Sequence, residues 1–141
     1  MRQEFVLDAS VTVAWSMEDE KDYYSLKVLD LLCEGMAWVP RIWPLEVANA
    51  LLMAERRKRL LRAEVENFLA LLQELPIQVE GESVLIVWRD ILSLAREMEL
   101  SVYDASYLNL AMHMGLPLAT IDRALKKAAQ RCGVKVLDFP S

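Results

Sequence analysis

The sequence predicts an α/β fold built on a five-stranded, mostly parallel sheet flanked by helices. Short apolar runs of strand length alternate with longer stretches of helical period. No Gly/Pro-rich or low-complexity tract divides the 141 residues, and no internal repeat is present, so one domain spanning 1–141 is expected. Glu4 to Leu7 reads as the first strand and Ala9 to Trp15 as the start of a helix. Tyr23, Leu26, Leu29, Leu32 and Cys33 fall on one helical face, and Gly35 follows as a residue suited to end that helix. Ala37 to Val39 is the second strand, stopped by Pro40. Trp43 to Leu60 reads as a long helix with Pro44 in its first turn, and Ala63 to Leu75 as its neighbour. Ile77 to Val79 is the third strand, followed by helices over Ser83–Met98 and Val102–Met114, the latter ended by Gly115. Leu118 to Ile121, a helix over Arg123–Cys132, and Val134 to Leu137 complete the alternation. Parallel strands need right-handed crossovers, and the helical pair between the second and third strands is an addition to them. In such sheets ligands bind beyond the carboxyl ends of the strands.

Composition narrows the chemistry. More than half the residues are apolar, enough for a core without staples. The apolar runs are too short and too often charged to span a bilayer. Met1-Arg2-Gln3-Glu4 enters an apolar run with no basic leader and long apolar segment ahead of it, so a cytoplasmic location is expected. Cys33 and Cys132 lie far apart without a CxxC pattern, and a reduced, buried thiol is expected at each. The lone histidine, His113, falls near a helix end, where an imidazole suits the dipole. Zinc sites and Ser/His/Asp catalysis therefore lack candidates.

The net charge of −5 argues against a nucleic-acid partner if taken globally. Distribution matters more. Arg56-Arg57-Lys58-Arg59 with Arg62 forms one basic patch, and Arg123, Lys126, Lys127, Arg131 and Lys135 form another. Solvated helix ends account for most of these residues.

Four acids stand where ligands bind. Asp8 follows the apolar run Phe5-Val6-Leu7 and precedes small Ala9 and Ser10. An Asx turn or a helix cap explains it alone. Asp122 follows Leu118-Ala119-Thr120-Ile121 and also reads as an N-cap. Asp104 closes Ser101-Val102-Tyr103-Asp104, a capping-box pattern. Glu46 would be the third residue of its helix, and its cap, Trp43, has no oxygen to offer. Asn49 shares the face of Glu46 on an otherwise apolar helix, so that narrow polar face marks the strongest of the four. Glu80 and Asp138 also follow strands, so position alone does not single out the set. Two carboxylates about 4 Å apart repel by roughly 4 kcal/mol at an effective dielectric near 20. A cluster of carboxylates calls for a cation, and hard oxygen donors suit Mg²⁺ or Mn²⁺. Such a site suits phosphodiester hydrolysis.

The segments around these acids resemble the PIN domain family, and within it the VapC-type toxins. Val6-Leu7-Asp8-Ala9-Ser10-Val11 matches its opening, apolar-apolar-Asp-small-Ser/Asn. Pro44-Leu45-Glu46-Val47-Ala48-Asn49-Ala50-Leu51 is similar to its Pro-x-Glu helix, and Tyr103-Asp104-Ala105-Ser106-Tyr107-Leu108 to its Asp-Ala-x-Tyr helix. Ala119-Thr120-Ile121-Asp122-Arg123-Ala124-Leu125 is similar to its Thr-x-Asp-x-x-Leu segment. The four matches come in family order. The resemblance implies a three-layer sandwich with a protruding helical pair, and RNA cleavage with Mg²⁺ or Mn²⁺ to a 5′-phosphate and a 3′-hydroxyl. It implies that Asp8 and Asp104 are the closest metal ligands, that Glu46 completes the shell or orients water, and that Asp122 assists. Ser10, Thr120 and Asn49 would support these carboxylates by hydrogen bonds. Arg56, Arg57, Arg123 and Lys126 are the candidate RNA contacts. Homodimers and a small antitoxin protein are further implications, with Trp43 and the methionines as candidate partner surface beside their core role.

Other readings fit less well. A haloacid-dehalogenase-type phosphatase wants a second Asp where Ser10 stands. A receiver domain wants paired acids after the first strand and a Lys after the last. A PIN-like binding module would have lost one or more acids, whereas a housekeeping RNA-processing nuclease would need the same four. The compact chain favours the toxin over the latter.

Overall fold

Phe5, Val6 and Leu7 are completely buried, which suits a central strand covered on both faces. They belong to β1 (Glu4–Leu7) in the computed structural model of the chain, which describes residues 2–140. β2 (Met36–Pro40) pairs with one edge of β1, placing Phe5 opposite Ala37, and β4 (Leu118–Ala119) pairs with the other, placing Leu7 opposite Ala119. β3 (Ile77–Glu80) lies beyond β2, and all pairings are parallel. The order β3-β2-β1-β4 means that the chain winds outward from β1, then returns to its other side. The resulting switch point, between β1 and β4, is where an open α/β sheet forms its ligand crevice.

Helices supply the crossovers. α1 (Ala9–Ser16) and α2 (Tyr23–Glu34) follow β1, with a short 3₁₀ turn over Glu18–Glu20 between them. Asp22 and Ser25 close a full capping box at the start of α2. α3 (Ile42–Arg56) and α4 (Arg62–Gln73) form the helical pair. α5 (Val84–Ile86) runs through a π-helical segment, Val87–Ile91, into α6 (Leu92–Met98). α7 (Val102–Met114) packs against β1 and β2, and α8 (Arg123–Arg131) follows β4. Among the described residues no helix is long and apolar enough to cross a membrane.

Several expectations need correction. The expected fifth strand is a single parallel bridge between Leu118 and Val136, because two-residue β4 offers no longer edge to pair with. The expected helix over Ser83–Met98 contains the π segment, an extra residue that a 3.6-residue pattern does not register. Gly35 has φ −131°, so a left-handed helix end does not explain it. A Cβ there would collide with the Gln3 carbonyl, so close backbone approach demands the glycine. Gly115 does take the left-handed conformation, φ 66°, at the end of α7. Cys33 is exposed rather than buried, because it lies on the outer face of α2, and Cys132 is half-buried. Of the two roles expected for Trp43, core packing holds and partner surface does not, since its buried indole turns into the core beside α1.

Candidate active site

Asp8 stands at the N-cap of α1, yet its side chain makes no capping hydrogen bond. Its Oδ2 instead accepts from the Ser10 hydroxyl at 2.6 Å and from the Thr120 hydroxyl at 2.7 Å. Each hydroxyl is oriented from behind. Ser10 Oγ accepts the Ile121 N–H at 3.3 Å, and Thr120 Oγ1 accepts the Asp122 N–H at 3.0 Å. With their lone pairs engaged by backbone donors, both hydroxyl protons go to Asp8. Because Thr120 follows β4 and Asp8 follows β1, this wiring spans the switch point. Beneath it, the Thr12 hydroxyl reaches the Asp8 carbonyl at 3.4 Å and accepts the Trp43 Nε1–H at 3.0 Å.

The other acids come from helices. α3 begins at Ile42, so Glu46 is its fifth residue and lies past the capping positions altogether. It is half-buried, and the fully buried Tyr107 donates its hydroxyl to Glu46 Oε1 at 2.6 Å. Asp104 occupies the third position of α7, where its N–H donates to Ser101 Oγ at 3.0 Å. Asp122 does cap α8, its Oδ1 accepting the Leu125 N–H at 3.0 Å.

Electrostatics joins the four. Burial pushes the Asp8 carboxyl above its ordinary value, the Ser10 and Thr120 hydroxyls pull it back, and the charges of Glu46 and Asp122 raise it further. Burial raises Glu46 as well, against the Tyr107 hydrogen bond and with the charge of Asp104. Asp104 is raised first by burial, then by Asp122 and Asp8, with Ser101 opposing. Each of the four acids is thus coupled to at least two others. Among the described residues none is in an ion pair. Nor do any three close into a ready-made metal cage; the four are within range of one another's charge rather than in shared coordination.

The supporting candidates divide. Ser10 and Thr120 both donate to Asp8, but Asn49 is exposed and makes no side-chain hydrogen bond among the described residues. Arg123 follows Asp122 directly, and Lys126 lies one turn along the exposed face of α8. Arg56 is ten residues beyond Glu46, about 15 Å along α3 at 1.5 Å per residue. Beside it Arg59 is engaged by Asp19 at 3.2 Å. Thr12 and Trp43 carry no sequence signal as site residues, whereas Tyr107 is the tyrosine of the Asp-Ala-x-Tyr match and, one turn after Asp104, shares its helix face. Tyr24, its phenol pushed up to about 12 first by burial, faces the Thr120 backbone.

Fold and site together define a parallel α/β domain with four acids gathered at its switch point. The PIN domain model matches residues 5–131, and the chain belongs to the PIN domain family. It is 39% identical over 80 residues to Ribonuclease VapC3 of Pyrobaculum aerophilum, a match covering 57% of this chain and 61% of that protein. The chain therefore spans about three fifths of that relative's length. The crystal structure of PAE2754 from Pyrobaculum aerophilum superposes with a TM-score of 0.70 at 25% identity, covering 91% of this chain and 86% of that one. FitAcB from Neisseria gonorrhoeae gives 0.64 at 21% identity over 95% and 96%, a likeness of fold alone.

Proposed function

We propose that this protein, a single PIN domain, is a cytoplasmic endoribonuclease dependent on Mg²⁺ or Mn²⁺, and the toxin of a toxin–antitoxin pair. One observation carries the reading: four carboxylates at the switch point, each feeling the charge of at least two others, with no cationic side chain among the described residues paired to any of them. The donor set fits a hard divalent cation, being all oxygen, and Asp8 Oδ1 and Glu46 Oε2 accept no hydrogen bond among the described residues. When bound, such an ion stabilises charge on the phosphate and supplies an activated water. Asp8 and Asp104 are the residues that would hold it, with Glu46 and Asp122 completing the oxygen set. Ser10 and Thr120 keep one Asp8 oxygen engaged, which leaves the other for the cation. Water adds to phosphorus, the bond to the 3′ oxygen breaks, and the products are a 5′-phosphate and a 3′-hydroxyl. Arg123 and Lys126 on α8, with Arg56 and Arg57 further off, meet flanking phosphates.

The name of the VapC3 relative supports the toxin assignment, and with it a small antitoxin protein as partner, while a second copy of the chain is implied only by the family resemblance. Leu52, Leu61 and Leu71 are exposed on α3, α4 and their connection, apolar surface that such a protein would cover. The test compares wild type, Asp8→Asn and Asp104→Asn on mixed tRNA and rRNA with Mg²⁺, Mn²⁺ or EDTA. Metal-dependent cleavage by wild type alone supports the nuclease, and equal cleavage by all three proteins overturns it. Growth arrest on expression, relieved by the same substitutions, supports the toxin. Cleavage without arrest assigns RNA processing instead.

A further inference from the structure

The geometry points to Tyr107 as a positioning residue for Glu46, its buried hydroxyl fixing which carboxylate oxygen is left open to the cation. This inference rests on the metal-dependent reading above. Tyr107 is completely buried within the main apolar core, so its ring has no freedom to follow a wandering partner. Its hydroxyl donates to Glu46 Oε1 at 2.6 Å, the one hydrogen bond that this carboxylate accepts among the described residues. Glutamate has three side-chain torsions, and a half-buried carboxylate on a helix samples several rotamers unless something holds it. A short bond to a rigid phenol removes that freedom.

The same arrangement occurs at Asp8 by other means. There Ser10 and Thr120 engage Oδ2 and leave Oδ1 open; here Tyr107 engages Oε1 and leaves Oε2 open. Two acids on different elements thus each present one oxygen, with the second tied to a neutral hydroxyl. Tyr107 also feels the charge of Asp8 and faces the Ala9 backbone, so it stands between the strand-borne and helix-borne acids. It lies three residues after Asp104 on α7, which makes one helix responsible both for an acid and for the orientation of another.

A role confined to packing would lower stability in Tyr107→Phe and leave the cation affinity of the folded protein unchanged. Positioning predicts otherwise. Supporting donors of this kind are worth about 10–100-fold in metal affinity or activity. In the folded full chain, Mn²⁺ binding measured calorimetrically without RNA should weaken about tenfold in Tyr107→Phe, within that range. RNA cleavage should lose kcat by a similar factor, with KM little changed. In a Glu46→Gln background the same substitution should add almost nothing, because the partner charge is already gone. Wild-type Mn²⁺ affinity in Tyr107→Phe, or an equal loss in both backgrounds, overturns the positioning role alone. A wild-type protein that binds no Mn²⁺ overturns this role and the metal-dependent reading together. If Tyr107→Phe does not fold, phenol-carbon NMR of wild type labelled at its four tyrosines replaces it. One signal should move in Glu46→Gln, and Mg²⁺ should move that same signal in wild type. Mg²⁺ that leaves it in place overturns the inference.

Discussion

The two halves of the acid cluster are held by different devices. Asp8 and Asp122 follow strands whose register is fixed by the sheet, and Thr120 links them through its hydroxyl and the Asp122 N–H. Glu46 and Asp104 ride on helices, where one phenol and one serine stand beside them. A strand end places a carboxylate by backbone geometry shared with its neighbour, so small hydroxyls suffice. A helix places its residue by packing alone, so a long side chain needs a distant, rigid partner. The strand half should therefore tolerate less.

The largest expected effect is at Asp8. Asp8→Asn should cost more than the ~100-fold typical of supporting residues, measured as single-turnover RNA cleavage. The same change should raise the unfolding midpoint in metal-free buffer, since it removes a buried charge that Glu46 and Asp122 oppose, while the amide oxygen still accepts from Ser10 and Thr120. Glu46→Gln comes next, with a loss of about 10–100-fold, because it removes one donor oxygen but keeps an acceptor for Tyr107. If Glu46→Gln proved the more damaging of the two, the ranking of strand over helix would be wrong. Thr120→Val should cost about tenfold and Asn49→Ala almost nothing, which separates a wired support from an exposed neighbour.

Acidity offers a smaller but cleaner comparison. Asp8, Glu46 and Asp104 all have carboxyls raised above their ordinary values, chiefly by burial. The folded state then holds protons that the unfolded chain has released, so stability falls as pH rises from about 4 through the raised values. Denaturation without metal should show this decline, and millimolar Mg²⁺ should flatten it at neutral pH. A pH-independent midpoint without metal would remove the basis for the coupling. The smallest effects belong to the basic patches. Neutralising Arg123 and Lys126 should lower the salt slope of RNA binding by about one each, and more than neutralising Arg56 and Arg57 does.

Much of this was legible in residue order, and the gaps have physical causes. The alternation of elements, Gly115 as a helix end and Asp122 as a cap all follow from local chemistry that a few neighbours determine. The first residue of α3 is Ile42 rather than Pro44, a shift of two that turns Glu46 from a first-turn acid into one beyond the caps. The fifth strand failed because pairing needs an edge, and β4 is too short to provide one. Trp43 and Tyr107 read as core by composition; that each carries a polar atom to a site element depends on contacts across 31 and 61 positions.

The chain by itself determined which four acids to single out, because the ordered family motifs mark them, while position does not: Glu80 and Asp138 also follow strands and Glu46 lies inside α3. Only the tertiary structure decided how those acids are held. Hydrogen bonds from Thr120 to Asp8 and from Tyr107 to Glu46 join residues 112 and 61 positions apart, and no local preference encodes them. Packing places a donor beside each carboxylate, and the burial that makes the placement rigid is the same burial that raises the charge's energy.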